Sequence, residues 1–159
     1  MRPIAIIGSA QFGLPYGITN SSGQVCFDEV TKILNLSYTS GIRFVDTAEM
    51  YGNSIEVLGK YFQNYSHFKV INKFPSQSKD YFIKSDTHKW EDQFISSLNK
   101  LGIKKIDSYL LHSSYDLKKK GSRILLNWLI SLRERGLVKR IGLSVYDSHE
   151  LDGINLKNF

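Results

Sequence analysis

Short apolar runs alternate along this chain with longer stretches in which apolar residues return every three or four positions. Ile4-Ala5-Ile6-Ile7 is the first run, nearly unbroken, and predicts a strand covered on both faces. After a glycine-rich loop from Gly8 to Gly23, Phe27, Val30, Ile33 and Leu34 recur at helical spacing up to Gly41. Arg43-Phe44-Val45-Asp46 predicts the second strand, Asn53 and Ser54 read as capping residues, and Ile55, Leu58, Tyr61 and Phe62 form the next apolar helix face. The third strand is expected over Phe68–Asn72, before a helix with Trp90, Phe94, Leu98 and Leu101 on one face and a stop at Gly102. Ile106–Leu111 predicts the fourth strand, followed by a helix with Leu125, Trp128, Leu129 and Leu132 that ends at Gly136. Arg140-Ile141-Gly142-Leu143-Ser144 then predicts a fifth strand, giving four βα units and one further strand.

Regular βαβ alternation leaves two α/β architectures, an open doubly wound sheet or a closed (β/α)8 barrel of the TIM type. Periodicity does not choose between them. The loop from Gly8 to Gly17 lacks the Gly-x-Gly-x-x-Gly spacing that brings a pyrophosphate onto a helix N-terminus, which argues against the dinucleotide-binding open sheet. No Walker-type loop, internal repeat or low-complexity linker is evident.

With 159 residues, 42% of them hydrophobic, the chain is long enough to bury a core and close to the usual size of one domain. Cys26 is the only cysteine, so there is no internal disulfide, and no cysteine-based metal cluster is expected. The opening apolar run is too short for a signal-peptide core or a membrane span, and the expected location is the cytoplasm. Asn20-Ser21-Ser22, Asn35-Leu36-Ser37 and Asn64-Tyr65-Ser66 fit the glycosylation pattern, which has no meaning without secretion. The net charge of +6 would suit an anionic partner, but the basic residues are scattered and read as solvated surface, so no nucleic acid is expected.

The informative polar residues stand at the ends of the predicted strands, each directly after an apolar run: Asp46 ends the second, Lys73 the third and His112 the fourth, with Tyr51 five residues beyond Asp46. In a βα barrel these ends converge on one rim. Proton-coupled carbonyl reduction suits them, because oxygen gains charge as hydride reaches carbon and needs a proton donor in place. A tyrosine can donate if a lysine ammonium stabilises its phenolate, and a carboxylate keeps that lysine charged and oriented. A histidine can donate to, or orient, the carbonyl oxygen. Each residue also has a plainer reading: Asp46 as a turn cap, Tyr51 as an exposed turn ring, Lys73 as a solvated lysine and His112 as a hydrogen-bonded core histidine. His67, His88 and His149 read as surface residues.

Taken together, the residues resemble the aldo-keto reductase pattern. Gly41-Ile42-Arg43-Phe44-Val45-Asp46-Thr47-Ala48-x-x-Tyr51-Gly52-Asn53-Ser54-x-Glu56-x-Leu58-Gly59 is similar to the family signature around its second strand, nearly position by position. Ile71-Asn72-Lys73-Phe74 resembles the segment with the catalytic lysine, and Ile106–His112 the segment with the catalytic histidine. The resemblance implies a truncated (β/α)8 barrel in which Tyr51 is the general acid, Lys73 its charged neighbour, Asp46 the partner of the lysine, and His112 the residue that orients the carbonyl. It further implies NADP(H) or NAD(H) as cofactor, with Gly8, Ser9, Ala10 and Asp46 near the nicotinamide and Ser144 at its carboxamide. Where many members carry asparagine after that serine, this chain has Val145 and lacks the amide.

The resemblance covers essentially the whole chain and corresponds to the N-terminal half of the family's barrel. An apolar inner face and open edges at the first and fifth strands are therefore expected, together with self-association or pairing with a complementary C-terminal half. The leading expectation is an NAD(P)H-dependent reductase of an aldehyde or ketone that is incomplete, and weak or inactive as this chain alone. The alternative is a non-catalytic interaction protein that retains a half-barrel. The expected substrate is a small carbonyl compound, with Ser113-Ser114-Tyr115 as candidate polar contacts, and neither metal nor membrane is expected to take part.

Overall fold

A computed structural model describes residues 4–65 and 67–159. Met1, Arg2, Pro3 and Ser66, the last residue of the third glycosylation pattern, lie outside the described residues. The elements run β1 (Ile6–Gly8), α1 (Ala10–Gly13), α2 (Phe27–Thr39), β2 (Phe44–Asp46), α3 (Ser54–Phe62), β3 (Lys69–Phe74), α4 (Asp86–Leu101), β4 (Ile106–Leu111), α5 (Ser122–Glu134) and β5 (Val138–Leu143). All strand pairs are parallel, in the order β1-β2-β3-β4-β5. Sequential order without reversal follows from repeated right-handed crossovers to the neighbouring strand, and it is the barrel pattern rather than the doubly wound one.

Helices stop where the sequence expects. Gly102, for example, caps α4 in the left-handed conformation at φ 66°, and its N–H reaches the carbonyls of Leu98 and Asn99. The apolar stripes of α2 and α3 close over the outer side of β1–β3, burying Val30, Leu34, Val45, Leu58 and Val70. Those of α4 and α5 close over β3–β5, around Phe74, Trp90, Phe94, Tyr109 and Trp128. The partly buried Ile103 packs against both clusters. Arg135, at the C-cap of α5, holds Glu91 of α4 at 2.8 Å and 2.9 Å, and Trp128 Nε1 donates to the same carboxylate at 3.0 Å.

Four expectations need correction. The first strand is not covered on both faces: Ile6 is 46% and Ile4, two residues before β1, 70% exposed, because only the face toward α2 and α3 is packed. Asn53 and Ser54 are not side-chain caps. Asn53 lies at the N-cap of α3 without a capping hydrogen bond and accepts instead from Gln24 Nε2 at 2.8 Å, while Ser54 turns inward. The third strand does not close at Lys73 but runs one residue further, to Phe74. The inner face, finally, is not wholly apolar. Pairing of Phe44 with Lys69, and of Ile71 with Ser108 and then Arg140, sets two cations among its apolar side chains.

Candidate active site

Register brings the site residues to one face. Gly8 pairs with Asp46 and Asp46 with Ile71, so Lys73, two residues on, faces the same way. Lys73 pairs with Leu110, and Leu110 with Gly142, so His112 and Ser144 also continue that face. The ladder carries on past the strand ends, with the His112 N–H donating to the Phe74 carbonyl and the Ser144 N–H to that of Leu111, both at 2.9 Å. Residues scattered over 136 positions thereby reach one rim of the sheet.

The centre of the cluster is Lys73, 5% exposed. Its ammonium meets three oxygens: Asp46 Oδ1 at 2.5 Å, the Thr47 carbonyl at 3.0 Å and the Tyr51 hydroxyl at 3.4 Å. Sequence pattern assigns Thr47 no such part; the only signal is its place next to Asp46. A phenol oxygen that accepts from the ammonium keeps its own proton free to donate elsewhere. The His112 ring stands edge-on to Tyr51 with centroids 6.0 Å apart, and its nitrogens make no hydrogen bond to protein among the described residues. Burial, and then the Lys73 charge, hold the imidazole below its ordinary value of 6.5, against a weaker opposing pull from Asp46. His112 is thus neutral at pH 7 and retains one N–H to donate.

The loop bearing Tyr51 rests on close backbone contacts. A Cβ on Gly13 would lie 1.9 Å from the Tyr51 carbonyl oxygen, and one on Gly52, whose φ is +54°, would lie 2.2 Å from the Gly13 carbonyl oxygen. Alongside, the buried Ser54 hydroxyl sits 2.7 Å from Ser9 Oγ, 3.0 Å from the Ser9 carbonyl and 3.2 Å from Thr47 Oγ1. This knot ties together the ends of β1 and β2 and the start of α3.

The positions associated by resemblance with a nicotinamide divide in two. Gly8 has open space where a Cβ would stand, and Ser144 is half-buried with no hydrogen bond from its hydroxyl to protein among the described residues. Both suit the face and carboxamide of a flat ring. Ser9 is fully buried and committed to Ser54, so its hydroxyl is not available, and Ala10 opens α1. Asp46 is occupied by Lys73. A separate cleft of about 460 Å³ lies at the opposite end of the strands, between Phe68, Lys105 and Val138, and includes none of these groups. Among the described residues, no group of three or more metal-ligating side chains comes together and no helix is long and apolar enough to cross a membrane.

Comparison with known proteins gives a consistent picture. The Aldo/keto reductase family profile matches residues 6–159. The aldo-keto reductase str7 of Strobilurus tenacellus is 29% identical over 144 residues, a stretch covering 89% of this chain and 39% of that protein. A solved Pseudomonas aeruginosa protein assigned to the aldo-keto reductases superposes with a TM-score of 0.69 at 26% identity, over 87% of this chain and 54% of that one. The Bombyx mori aldo-keto reductase, solved in complex with NADP, shares the fold with a TM-score of 0.62 at 22% identity, over 89% of this chain and 46% of its own. The chain therefore spans about half the length of the solved relatives and less of the curated one.

Proposed function

Because this chain belongs to the aldo/keto reductase family, we propose that its strand-end cluster is the proton-donating side of a site that reduces an aldehyde or ketone with NAD(P)H. The observation that carries this reading is the chain of contacts Asp46–Lys73–Tyr51, with the His112 ring against Tyr51. The bound cofactor supplies hydride to the carbonyl carbon. Gly8 leaves room for its ring, and Ser144 offers a hydroxyl to the carboxamide.

The chain's own residues do the rest. Neutral His112 donates a hydrogen bond to the carbonyl oxygen and fixes its direction. Tyr51 transfers its phenolic proton to that oxygen as negative charge develops there. Lys73, already within reach of the phenol oxygen, stabilises the phenolate left behind, and Asp46 keeps the ammonium charged and aimed. The residues named address only the nicotinamide end of the dinucleotide. Binding energy from its remote parts does not come from them, and turnover by this chain alone is weak.

The test is purified chain with NADPH and a panel of small aldehydes and ketones. Saturable quenching of tryptophan fluorescence together with carbonyl-dependent NADPH oxidation supports the reading, and Tyr51→Phe then lowers that oxidation by about 10²–10⁴-fold. Oxidation that Tyr51→Phe leaves unchanged rejects it. The exposed Ile6 on the edge strand and Ile4 just before it favour one other reading, a non-catalytic interaction protein, which predicts neither fluorescence quenching nor oxidation.

A further inference from the structure

Tyr51 and His112 come from different strand ends, and the reaction proposed above needs their polar atoms to converge on one oxygen. The contacts on the inner face do not set their spacing, since His112 meets Tyr51 only ring edge to ring face. The other side of the sheet holds a link between the two segments. Tyr109 lies in β4 three residues before His112, on the helix-facing side, and is wholly buried. Its hydroxyl donates at 2.9 Å to the carboxylate of Glu49, two residues before Tyr51. Gln93, Ser97 and Lys100 of α4 line the same cleft as that carboxylate, and Lys100 pairs with Glu56 of α3 at 2.7 Å. Glu49 thus reaches behind the sheet while Tyr51 reaches in front of it, and both positions hang on one five-residue stretch from Thr47 to Tyr51.

Resting on the reading of the site as a carbonyl reductase, we propose that Glu49 is a positioning residue: by clamping the Tyr51 segment to Tyr109 of β4, it sets the gap between the Tyr51 hydroxyl and the His112 ring in which the carbonyl oxygen sits. The chemistry supports a clamp rather than an incidental contact. Tyr109 is wholly buried, so its hydroxyl would be left unpaired away from water if the bond to Glu49 were lost. Burial pushes the Glu49 carboxyl up, against the hydrogen bond from Tyr109, while the same burial, with Glu49 beside it, pushes the Tyr109 phenol well above 10 and keeps it a donor.

The experiment is NMR on the whole chain with labelled tyrosine and histidine. In the wild type, cross-relaxation between the Tyr51 and His112 rings and slow exchange of the Tyr51 amide, which donates to the Ala48 carbonyl at 3.0 Å, report the closed gap. Glu49→Ala is expected to abolish the ring contact and speed exchange of the Tyr51 amide at least about tenfold, about 1.4 kcal/mol of local opening. It should also move the His112 titration upward toward 6.5, as Tyr51 ceases to shield the ring. Glu49→Gln, which keeps an acceptor for Tyr109, should retain the contact. Should Glu49→Ala fail to fold, Tyr109→Phe, which removes the donor alone, should show the same loss. Ring contact and a His112 titration unchanged in a variant that still melts cooperatively overturn the proposal. Because none of these signals needs turnover, they stay readable if the NADPH assay fails and the reductase reading with it.

Discussion

Three N–H groups on one lysine and three oxygens around it make Lys73 a fully paired buried cation, the condition under which a charge can leave water at tolerable cost. His112 shows the opposite balance: it is partly buried beside that cation with no paired counter-charge of its own, so protonation is disfavoured in the folded state. The consequence for stability has a definite sign. An unfolded chain takes up a proton at His112 near pH 6.5 while the folded one resists, so the group's contribution is present above that value and is lost as pH falls through and below it. Denaturant unfolding of the wild type and of His112→Gln from pH 8 to pH 5 should show the variant gaining relative stability below about pH 6.5; a constant difference would contradict the environment described for this ring. Asp46, Lys73 and His112 were legible as polar residues closing apolar runs, and Tyr51 by its place five residues beyond Asp46. Glu49 was not, because its partner Tyr109 lies on a strand that nothing in the local sequence links to the Tyr51 loop.

Among the elements, the longer helices were legible because their apolar stripes repeat, whereas α1, four residues from Ala10 to Gly13, is too short to show any period. Asn53 misled for a related reason: capping chemistry is local, yet Gln24, a residue 29 positions away, takes its side-chain oxygen. The packing of α3 on α4 is likewise invisible in sequence pattern. A Cβ on Gly59 would lie 1.8 Å from the Lys100 carbonyl oxygen, so the two backbones touch at a residue without a side chain. Gly59→Ala would gain helix propensity but forces these helices apart, and we expect a net loss of about 1–3 kcal/mol, read as a lower urea midpoint at unchanged slope. A midpoint at or above that of the wild type would show that the contact yields without strain.

For the molecule as a whole, βαβ alternation announced five parallel strands, and their sequential order completed the assignment to the barrel class. What the pattern could not reveal is how the unpaired side is decorated. β1 and β5 each hydrogen-bond to a single neighbour, and Ile4 and Ile6 stand exposed beside that edge, which favours association between copies. Lys69 and Arg140 on the same face oppose it by like-charge repulsion, although Asp107 pairs with Arg140. Size-exclusion chromatography with light scattering should therefore find an average mass that rises with protein concentration and rises further with salt, while Ile6→Lys should shift the balance toward monomer. A strictly monomeric chain at high salt would contradict this account.

The division of the interior into two clusters has a kinetic meaning for the site. Asp46 and Tyr51 ride on the side packed by α2 and α3, His112 on the side packed by α4 and α5, and Lys73 on β3 between them. Tyr51 and His112, the pair on which the proposed reaction relies, therefore share a surface while the two clusters remain docked. A brief parting along β3 is expected to separate them without melting a helix. On the proposed reading, helical content is then a poor measure of how much of the protein is competent at any instant.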